Sequence, residues 1–313
     1  MGARDSLETD TRVVHAPDVA REIDETEDAV ESPRGEVLDD PERRREESAE
    51  SRQRVDGNRK SDRFEVNREE LGRFDLKRAG LPDMSIESAA KYIDENRASR
   101  PWLAMTDRAC PEARRIIAAM DAAGGHAHIR HEGWVSEEAN RRRVAYREDP
   151  AQLDPEKRAL CIDGLRPNDK RHRCADIATR IADPDAFATA FTRGVEHSEV
   201  RKALDMAFKP NDWPAIVEIP IADLLGPDGH VHCTGWRLKP VDGSITTAYE
   251  KRNTWVVDRL EGRKPAPCEP EALPVRTFEG GVFTFIFIGN ETERRYEIMT
   301  MCPDPPEDQR RES

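Results

Sequence analysis

Apolar positions at helical spacing predict the first ordered part of the chain. The apolar residues of 85–96 indicate one helix, and a second begins at Pro111, because proline suits the first helical position. Gly124 and Gly125 end that helix, since glycine adopts the left-handed conformation that closes helices. Further helices are predicted from Ser136 to about 146, from Asp183-Pro184, from Ser198 and over 247–260.

The apolar pattern changes to that of β-strands in the last third of the chain. Residues 215–221 and 230–238 alternate in polarity or are rich in β-branched residues, and a turn signal at 227–229 separates them. Residues 281–288 and 295–301 predict a hairpin joined by Gly289-Asn290. The order of elements predicts an α+β fold, with N-terminal helices packed on a C-terminal antiparallel sheet.

Composition divides the chain before any fold is considered. Residues 1–70 are acidic and mixed in charge, with Phe64 as the single aromatic residue, which is typical of a disordered arm. We expect a helical lead-in over 71–108, the main α+β domain over 109–303 and a polar tail over 304–313. The net charge of −13 argues against tight non-specific binding of nucleic acid by the whole chain, but it leaves room for a local basic cleft.

Location and redox state follow from what the sequence lacks. There is no apolar run long enough to span a membrane and no secretory signal, so we expect a cytoplasmic protein or one exported by a non-classical system. The six cysteines have no close framework spacing, which indicates reduced thiols. There is also no dinucleotide-binding fingerprint or Walker loop.

The segment 124–143 concentrates the residues best suited to chemistry. It holds His126, His128 and His131, followed by Arg141, Arg142 and Arg143. Histidine exchanges protons near neutral pH, and the arginine fork fits a phosphate. Because consecutive helical residues point about 100° apart, the three arginines cannot share one site. The segment favours phosphodiester chemistry, with His126, His128 and Arg141 as substrate-binding candidates.

Two other interpretations of the histidines stay open. His126 and His128 alternate on an expected extended segment, so both could bind zinc with a distant third ligand, as in a zinc hydrolase. Alternatively, one or more of these histidines, His128 above all, only forms hydrogen bonds in the core. Thr300 and Cys302 share one face at the end of the last strand, where they line a pocket or belong to the core.

Three separated motifs resemble the ribonuclease A-like toxin domain found at the C-terminus of bacterial contact-dependent inhibition and other polymorphic toxins. They are Gly124-Gly125-His126 with His131 five positions on, Arg142 eleven positions further, and the closing 300–303, Thr-Met-Cys-Pro. Residues 180–190 match more loosely. The resemblance covers roughly residues 109–303.

This resemblance implies a kidney-shaped α+β nuclease fold, RNA cleavage without a metal or cofactor, and a cognate immunity protein. Carried over, His131 is the general acid–base, Arg142 the phosphate-binding cation, and Thr300 a polar hydrogen-bonding partner. His131 would deprotonate a ribose 2′-hydroxyl, whose attack on phosphorus leaves a 2′,3′-cyclic phosphate.

Two positions depart from the family pattern. Cys302 stands where the family has a catalytic tyrosine, and a thiol is a weak hydrogen-bond donor, which predicts reduced or lost activity. Glu132 replaces a small apolar residue, and its carboxylate either raises the pKa of His131 or faces water. A catalytically decayed binding module of the same fold is therefore a third hypothesis, beside the ribonuclease and the zinc hydrolase.

Overall fold

The computed structural model describes residues 66–125, 127–151, 176–210 and 214–311. These residues belong to one unit, Asp62–Ser313, while the predicted acidic arm lies almost wholly outside them. His126, Cys161 and Cys174 also lie outside the described residues. No described helix has the length and apolar character needed to cross a membrane.

The α-helices of the described residues are concentrated in their first half, with three more among the strands and at the end. They are α1 (Arg68–Arg73), α2 (Ile86–Asn96), α3 (Pro111–Ala122), α4 (Ala127–Arg130), α5 (Glu137–Tyr146), α6 (Pro184–Glu196), α7 (Ser198–Leu204), α8 (Ile221–Leu225), α9 (Ile245–Leu260) and α10 (Glu307–Arg311). Short 3₁₀ helices occupy Leu76–Ala79, Pro101–Arg108 and Gly229–His232.

The strands form two antiparallel sheets of three strands each within the described residues. The strands are β1 (Ile177–Ile181), β2 (Val217–Pro220), β3 (Cys233–Leu238), β4 (Ala272–Pro274), β5 (Val282–Asn290) and β6 (Arg295–Asp304). One sheet has the order β1-β3-β4 and the other the order β2-β5-β6. The α+β class is confirmed, but the single C-terminal sheet that we predicted is two small sheets.

The main core lies between helices α3 and α6 and one face of β5. Phe283, Phe285 and Phe287 project from that face and are buried, because alternate residues of a strand point the same way. Gly194 of α6 meets the ring of Phe285 so closely that a Cβ there would lie 2.1 Å from it. A glycine is therefore required where this helix crosses the sheet.

Local signals predicted three helix starts correctly. The side chains of Ser85, Ser136 and Asp183 each accept a hydrogen bond from a backbone N–H in the first turn, at α2, α5 and α6. The hairpin was also predicted, although β5 and β6 extend beyond the expected bounds.

Other elements differ from the prediction. His128 lies in helix α4 rather than in an extended segment. The expected strand over 230–238 begins only at Cys233, and the strand expected over 215–221 gives way to helix α8 at Ile221. Strand β1 and the short helix α10 of the expected polar tail were not predicted.

Candidate functional site

Residues 131–135 lie beside strand β1, and both backbone pairing at 131–132 and the side chain of Arg180 attach them to it. The Ile181 amide donates to the His131 carbonyl at 2.8 Å, and Glu132 forms a parallel bridge with Ile181. The Arg180 guanidinium reaches the carbonyls of Gly133, at 3.3 Å, and Val135. The histidine segment is thereby held as an addition to the edge of the first sheet.

Gly133 makes this attachment possible. A Cβ at Gly133 would lie 2.2 Å from the carbonyl oxygen of Ala182, which is far inside van der Waals contact. The sequence analysis missed this position, because nothing local distinguishes a glycine required by a distant strand from one in an ordinary turn.

The ring of His131 has a defined orientation. Its Nδ1 lies 2.9 Å from the Thr179 carbonyl oxygen, and the residue is half-buried. A carbonyl only accepts, so Nδ1 carries the proton and the lone pair of the neutral ring is on Nε2. In this tautomer, Nε2 is the atom that can take a proton from a substrate.

His128 lies in the core. Its side chain is 0% exposed, and its Nε2–H donates to Asp121 at 2.9 Å. Tyr92, Arg100 and Trp102 donate to the same carboxylate, at 2.9, 2.6 and 2.7 Å. Burial alone would raise the pKa of Asp121, but the hydrogen bonds from His128, Arg100 and Trp102 hold it well below its usual range. This placement argues against the prediction that His128 contacts the substrate or a zinc ion.

Glu132, which follows His131, is a buried carboxyl group that, unlike Asp121, has no hydrogen-bond donor near it among the described residues. It is 0% exposed, and neither carboxylate oxygen has a hydrogen-bond partner among the described residues. Burial raises its pKa to about 8; nearby Arg108 lowers this pKa and Asp183 raises it. Glu132 does not face water, so that expectation is wrong. With a pKa of about 8 the carboxyl is mostly protonated at pH 7, which argues against the expectation that its charge raises the pKa of His131.

Arg142, the predicted phosphate-binding cation, is held by a carboxylate. Its Nε and Nη2 donate to the two oxygens of Glu148 at 2.7 and 2.6 Å, and its side chain is 37% exposed. Arg141 forms a similar bidentate pair with Glu138 at 2.7 Å. Arg143 is the buried member of the triplet. The structure therefore directs Arg141 and Arg142 away from the core, each toward its own glutamate.

Thr300 and Cys302 lie on one face of β6, as predicted, and are half-buried opposite the buried Met301. Thr300 is paired with Ile286 and Cys302 with Thr284. A β-bulge interrupts the register just before Thr300, at Met299. Bulges of this kind turn side chains toward sites at sheet edges.

The three motif regions meet at strand β1. Strand β6 packs against both α4 and β1, and α5, which carries Arg142, also packs against β1. Residues Gly124 and Gly125 line a cavity of about 190 Å³ together with residues 297–299 of β6. The histidine segment and the closing strand are therefore neighbours in the fold.

A metal centre has no support within the described ranges. No group of three or more His, Cys, Asp or Glu side chains is placed there to hold a metal ion. His126 falls outside those ranges. Buried Cys110 and Cys233 have pKa values raised by burial, so they are poor thiolate ligands.

The sequence analysis missed two charged residues that adjoin Arg142. Glu148 is 2% exposed, and Arg259 of α9 donates to it at 3.4 Å. Glu148 follows Arg147, the left-handed residue with a φ of 58° that ends α5. No short motif marks such a contact, because Glu148 and Arg259 are far apart in the sequence.

The comparisons with known proteins identify no relative: no family model, no curated protein and no solved structure matches this chain.

Proposed function

We propose that this protein is a metal-independent endoribonuclease with a ribonuclease A-like toxin fold. The observation that carries the proposal is the common contact of three separated motifs with strand β1: the His131 segment, helix α5 with Arg142, and strand β6 with Thr300 and Cys302. The closing strand is far from the other two regions in the sequence, so its proximity to them results from the fold. The proximity of the elements that carry the three motifs supports the proposal.

The proposed reaction begins with proton transfer to His131. Its Nε2 takes the proton of a ribose 2′-hydroxyl, and the 2′-oxygen attacks the adjacent phosphorus. The bond from phosphorus to the 5′-oxygen breaks, the leaving oxygen takes a proton from water, and a 2′,3′-cyclic phosphate remains; protonated His131 then returns its proton to the solvent. Arg142 stabilises the charge on the phosphoryl oxygens after exchanging Glu148 for the phosphate.

The closing strand completes the proposed site. The hydroxyl of Thr300 donates to or accepts from the phosphate, and Cys302 occupies the family's tyrosine position. Because a thiol is a weak donor, we expect slower cleavage than a tyrosine would give. Arg141 and His126 remain proposed contacts to the RNA backbone.

The biological setting is part of the same proposal. A ribonuclease of this kind would act as a bacterial toxin against cytoplasmic RNA, either in the cell that makes it or after export by a non-classical system. The resemblance also implies a cognate immunity protein, which would cover the proposed site.

Cleavage of total RNA in EDTA tests the proposal. We expect wild type to cut the RNA, His131→Ala to lose activity by a factor of about 10²–10⁴, and Arg142→Ala to lose about 10²–10³. His230→Ala and Arg97→Ala are matched controls, because His230 contacts the Pro227 carbonyl at 3.2 Å and Arg97 pairs with Asp107. Both controls should cut like wild type.

Each other outcome has a defined meaning. Activity that appears only with added zinc would replace the proposal with a zinc hydrolase. A wild type that is inert with and without metal, together with a Cys302→Tyr variant that cuts, would indicate a decayed nuclease. If neither wild type nor Cys302→Tyr cleaves RNA, a binding module with this fold is the better account.

A further inference from the structure

The 3₁₀ helix Pro101–Arg108 presents three side chains along one face. Residues three apart eclipse each other in a 3₁₀ helix, so Trp102, Met105 and Arg108 share that face. Trp102 and Met105 are half-buried, and Arg108 is exposed. The face therefore reaches the protein surface and carries an aromatic ring, a thioether and a guanidinium group in a row.

The turn of residues 132–135, directly after the proposed base, packs on this face. The ring centroids of Trp102 and Trp134 lie 6.0 Å apart, and the two rings are tilted by 56°. A Cβ at Gly133 would lie 3.1 Å from the methyl carbon of Met105. These two contacts place the turn and the 3₁₀ helix side by side.

Trp134 has a fixed orientation beside His131. Its indole N–H donates to the Ile129 carbonyl at 2.6 Å, so the ring folds back over the piece of chain that contains His131. Trp134 is half-buried and belongs to none of the apolar clusters formed by the described residues, whereas Trp102 packs into the cluster of Leu103. Because the N–H of Trp134 is already bonded, a ligand meets the apolar surface of a ring that is held in place, and such a surface is suited to stacking.

Arg108 supplies a cation that has no carboxylate partner among the described residues. Its Nη2 lies 3.2 Å from the Met105 sulfur. Arg108 is close enough to Glu132 to lower the pKa of that carboxyl, but burial raises this pKa to about 8. Glu132 is therefore mostly protonated at pH 7 and does not neutralise Arg108.

The other acidic groups of this neighbourhood are engaged elsewhere. Asp107 pairs with Arg97 through both oxygens, at 2.9 and 2.6 Å. Asp183 accepts from backbone N–H groups in the first turn of α6, and its second oxygen lies 3.9 Å from His232. A phosphate can thus bind Arg108 without displacing a carboxylate.

We propose that Trp134 and Arg108 form a nucleotide subsite, in which a base of single-stranded RNA stacks on the ring of Trp134 and Arg108 binds a neighbouring phosphate. The proposal rests on the ribonuclease function proposed above and names its substrate class. Every base has a π-face, so the subsite accepts a base without reading its edges, and it requires a base that is not already stacked in a duplex. The subsite holds the strand next to His131.

Binding of two short fluorescein-labelled strands tests the subsite separately from cleavage. One strand is 2′-O-methyl RNA, which lacks the attacking hydroxyl, and the other has the same sugars and phosphates but no bases. Fluorescence anisotropy measures both affinities. Trp134→Leu should bind the strand with bases about 5- to 100-fold more weakly than wild type, and it should bind the strand without bases equally well, because leucine has no π-face.

Two further variants separate stacking from other effects. Trp134→Phe loses the same hydrogen bond to the Ile129 carbonyl but keeps an aromatic face, so its affinity for the strand with bases should stay within about threefold of wild type. Trp236→Leu removes another half-buried tryptophan, whose indole N–H donates to Glu137 at 2.8 Å, and it should bind like wild type. Equal affinities of Trp134→Leu and Trp134→Phe for the strand with bases would overturn the stacking site.

Arg108→Gln tests the phosphate contact. This variant should bind both strands about three- to tenfold more weakly, and the slope of log affinity against log salt should become shallower by about 1. Arg68→Gln makes the same change of charge at an exposed position of α1, and it should alter neither quantity. Equal effects of the two substitutions would overturn the role of Arg108.

Photo-cross-linking of wild type covers the case in which Trp134→Leu fails to fold. The probe is 2′-O-methyl RNA that carries 5-iodouracil, which on irradiation attaches to an aromatic side chain stacked on it. Mass spectrometry should find the adduct on the peptide that contains Trp134. Adducts confined to other peptides would overturn the proposal.

The two proposals fail in different ways. If wild type does not cleave RNA but Trp134→Leu loses affinity only for the strand with bases, the ribonuclease function is wrong and the subsite stands. If wild type cleaves with dependence on His131 while Trp134→Leu binds both strands like Trp134→Phe, the ribonuclease function stands and the subsite is wrong.

Discussion

Asp121 and Glu132 are two buried carboxyl groups on either side of His128, and their surroundings are opposite. Asp121 is 4% exposed and accepts hydrogen bonds from Tyr92, Arg100, Trp102 and His128. Glu132 is 0% exposed, and its oxygens find no donor in the described part of the chain. The pKa of Asp121 is lowered, whereas that of Glu132 is raised to about 8.

The difference shows that hydrogen bonds, rather than burial alone, decide the charge of a buried acid. Asp121 is ionised and joins α3 to the histidine segment, so it specifies the structure on that side. Glu132 is neutral at pH 7 and contributes no charge to the site, although it stands next to the proposed base. Asp121 therefore stabilises the fold, and Glu132 makes the free energy of unfolding depend on pH.

The largest expected effect is the loss of the Asp121 carboxylate. Asp121→Ala leaves His128 buried and removes the partner of Arg100, which should lower the free energy of unfolding by about 3–5 kcal/mol in urea titrations. The exposed pair provides the control, since Asp107→Asn should cost about 0–1 kcal/mol. A similar small loss for both variants would mean that the Asp121 network is not a stabilising element.

The next effect is the pH dependence caused by Glu132. Burial raises its pKa from the ordinary value of 4.5 for a glutamate to about 8 on folding, so the folded state keeps a proton that the unfolded state has lost. The free energy of unfolding should therefore fall as pH rises, by about 1.4 kcal/mol per unit below the folded pKa and by about 2–3 kcal/mol between about pH 6 and pH 8.

Glu132→Gln should remove this slope while the neutral side chain stays in place. The measurement is the free energy of unfolding of wild type and variant across that pH range, with Glu87→Gln, at an exposed position, as the control. Parallel curves for wild type and Glu132→Gln would show that Glu132 is ionised in the folded protein, and the contrast with Asp121 would disappear.

A smaller effect is expected at Gly133, which lets the Glu132 segment approach β1. Gly133→Ala should cost about 1–3 kcal/mol, because the new methyl group collides with the Ala182 carbonyl, and it should also reduce RNA cleavage by displacing His131. Gly72→Ala, in helix α1, is the control; the nearest atom to its Cβ would be 3.6 Å away. Equal thermal stability of the two variants would contradict the tight attachment of this segment.

The sequence predicts elements that are specified locally and misses those that depend on distant partners. The caps at Ser85, Ser136 and Asp183 and the hairpin of β5 and β6 follow from short-range signals. Strand β1 has no such signal, because its pairing with β3 and with the histidine segment depends on residues far along the chain.

Dependence on distant residues also limits how much of the candidate site can be predicted from the sequence. The His131 segment and strand β6, which carries Thr300 and Cys302, both contact strand β1, and the ribonuclease proposal uses this shared contact. The burial of His128 depends on Asp121 and on the side chains that surround it, which no pattern around His128 reveals. Arg142 could be selected by spacing, but its contact with Glu148 and the neighbouring Arg259 appear only when α5 and α9 pack together.

The most direct test of the ribonuclease proposal is cleavage of a DNA oligonucleotide that contains a single ribonucleotide, measured in EDTA. The account predicts one cut, on the 3′ side of that ribose, leaving a 2′,3′-cyclic phosphate, with no cut in the all-DNA strand or by His131→Ala. Cleavage of the all-DNA strand, or cleavage that His131→Ala retains, would contradict attack by the 2′-hydroxyl with His131 as the base.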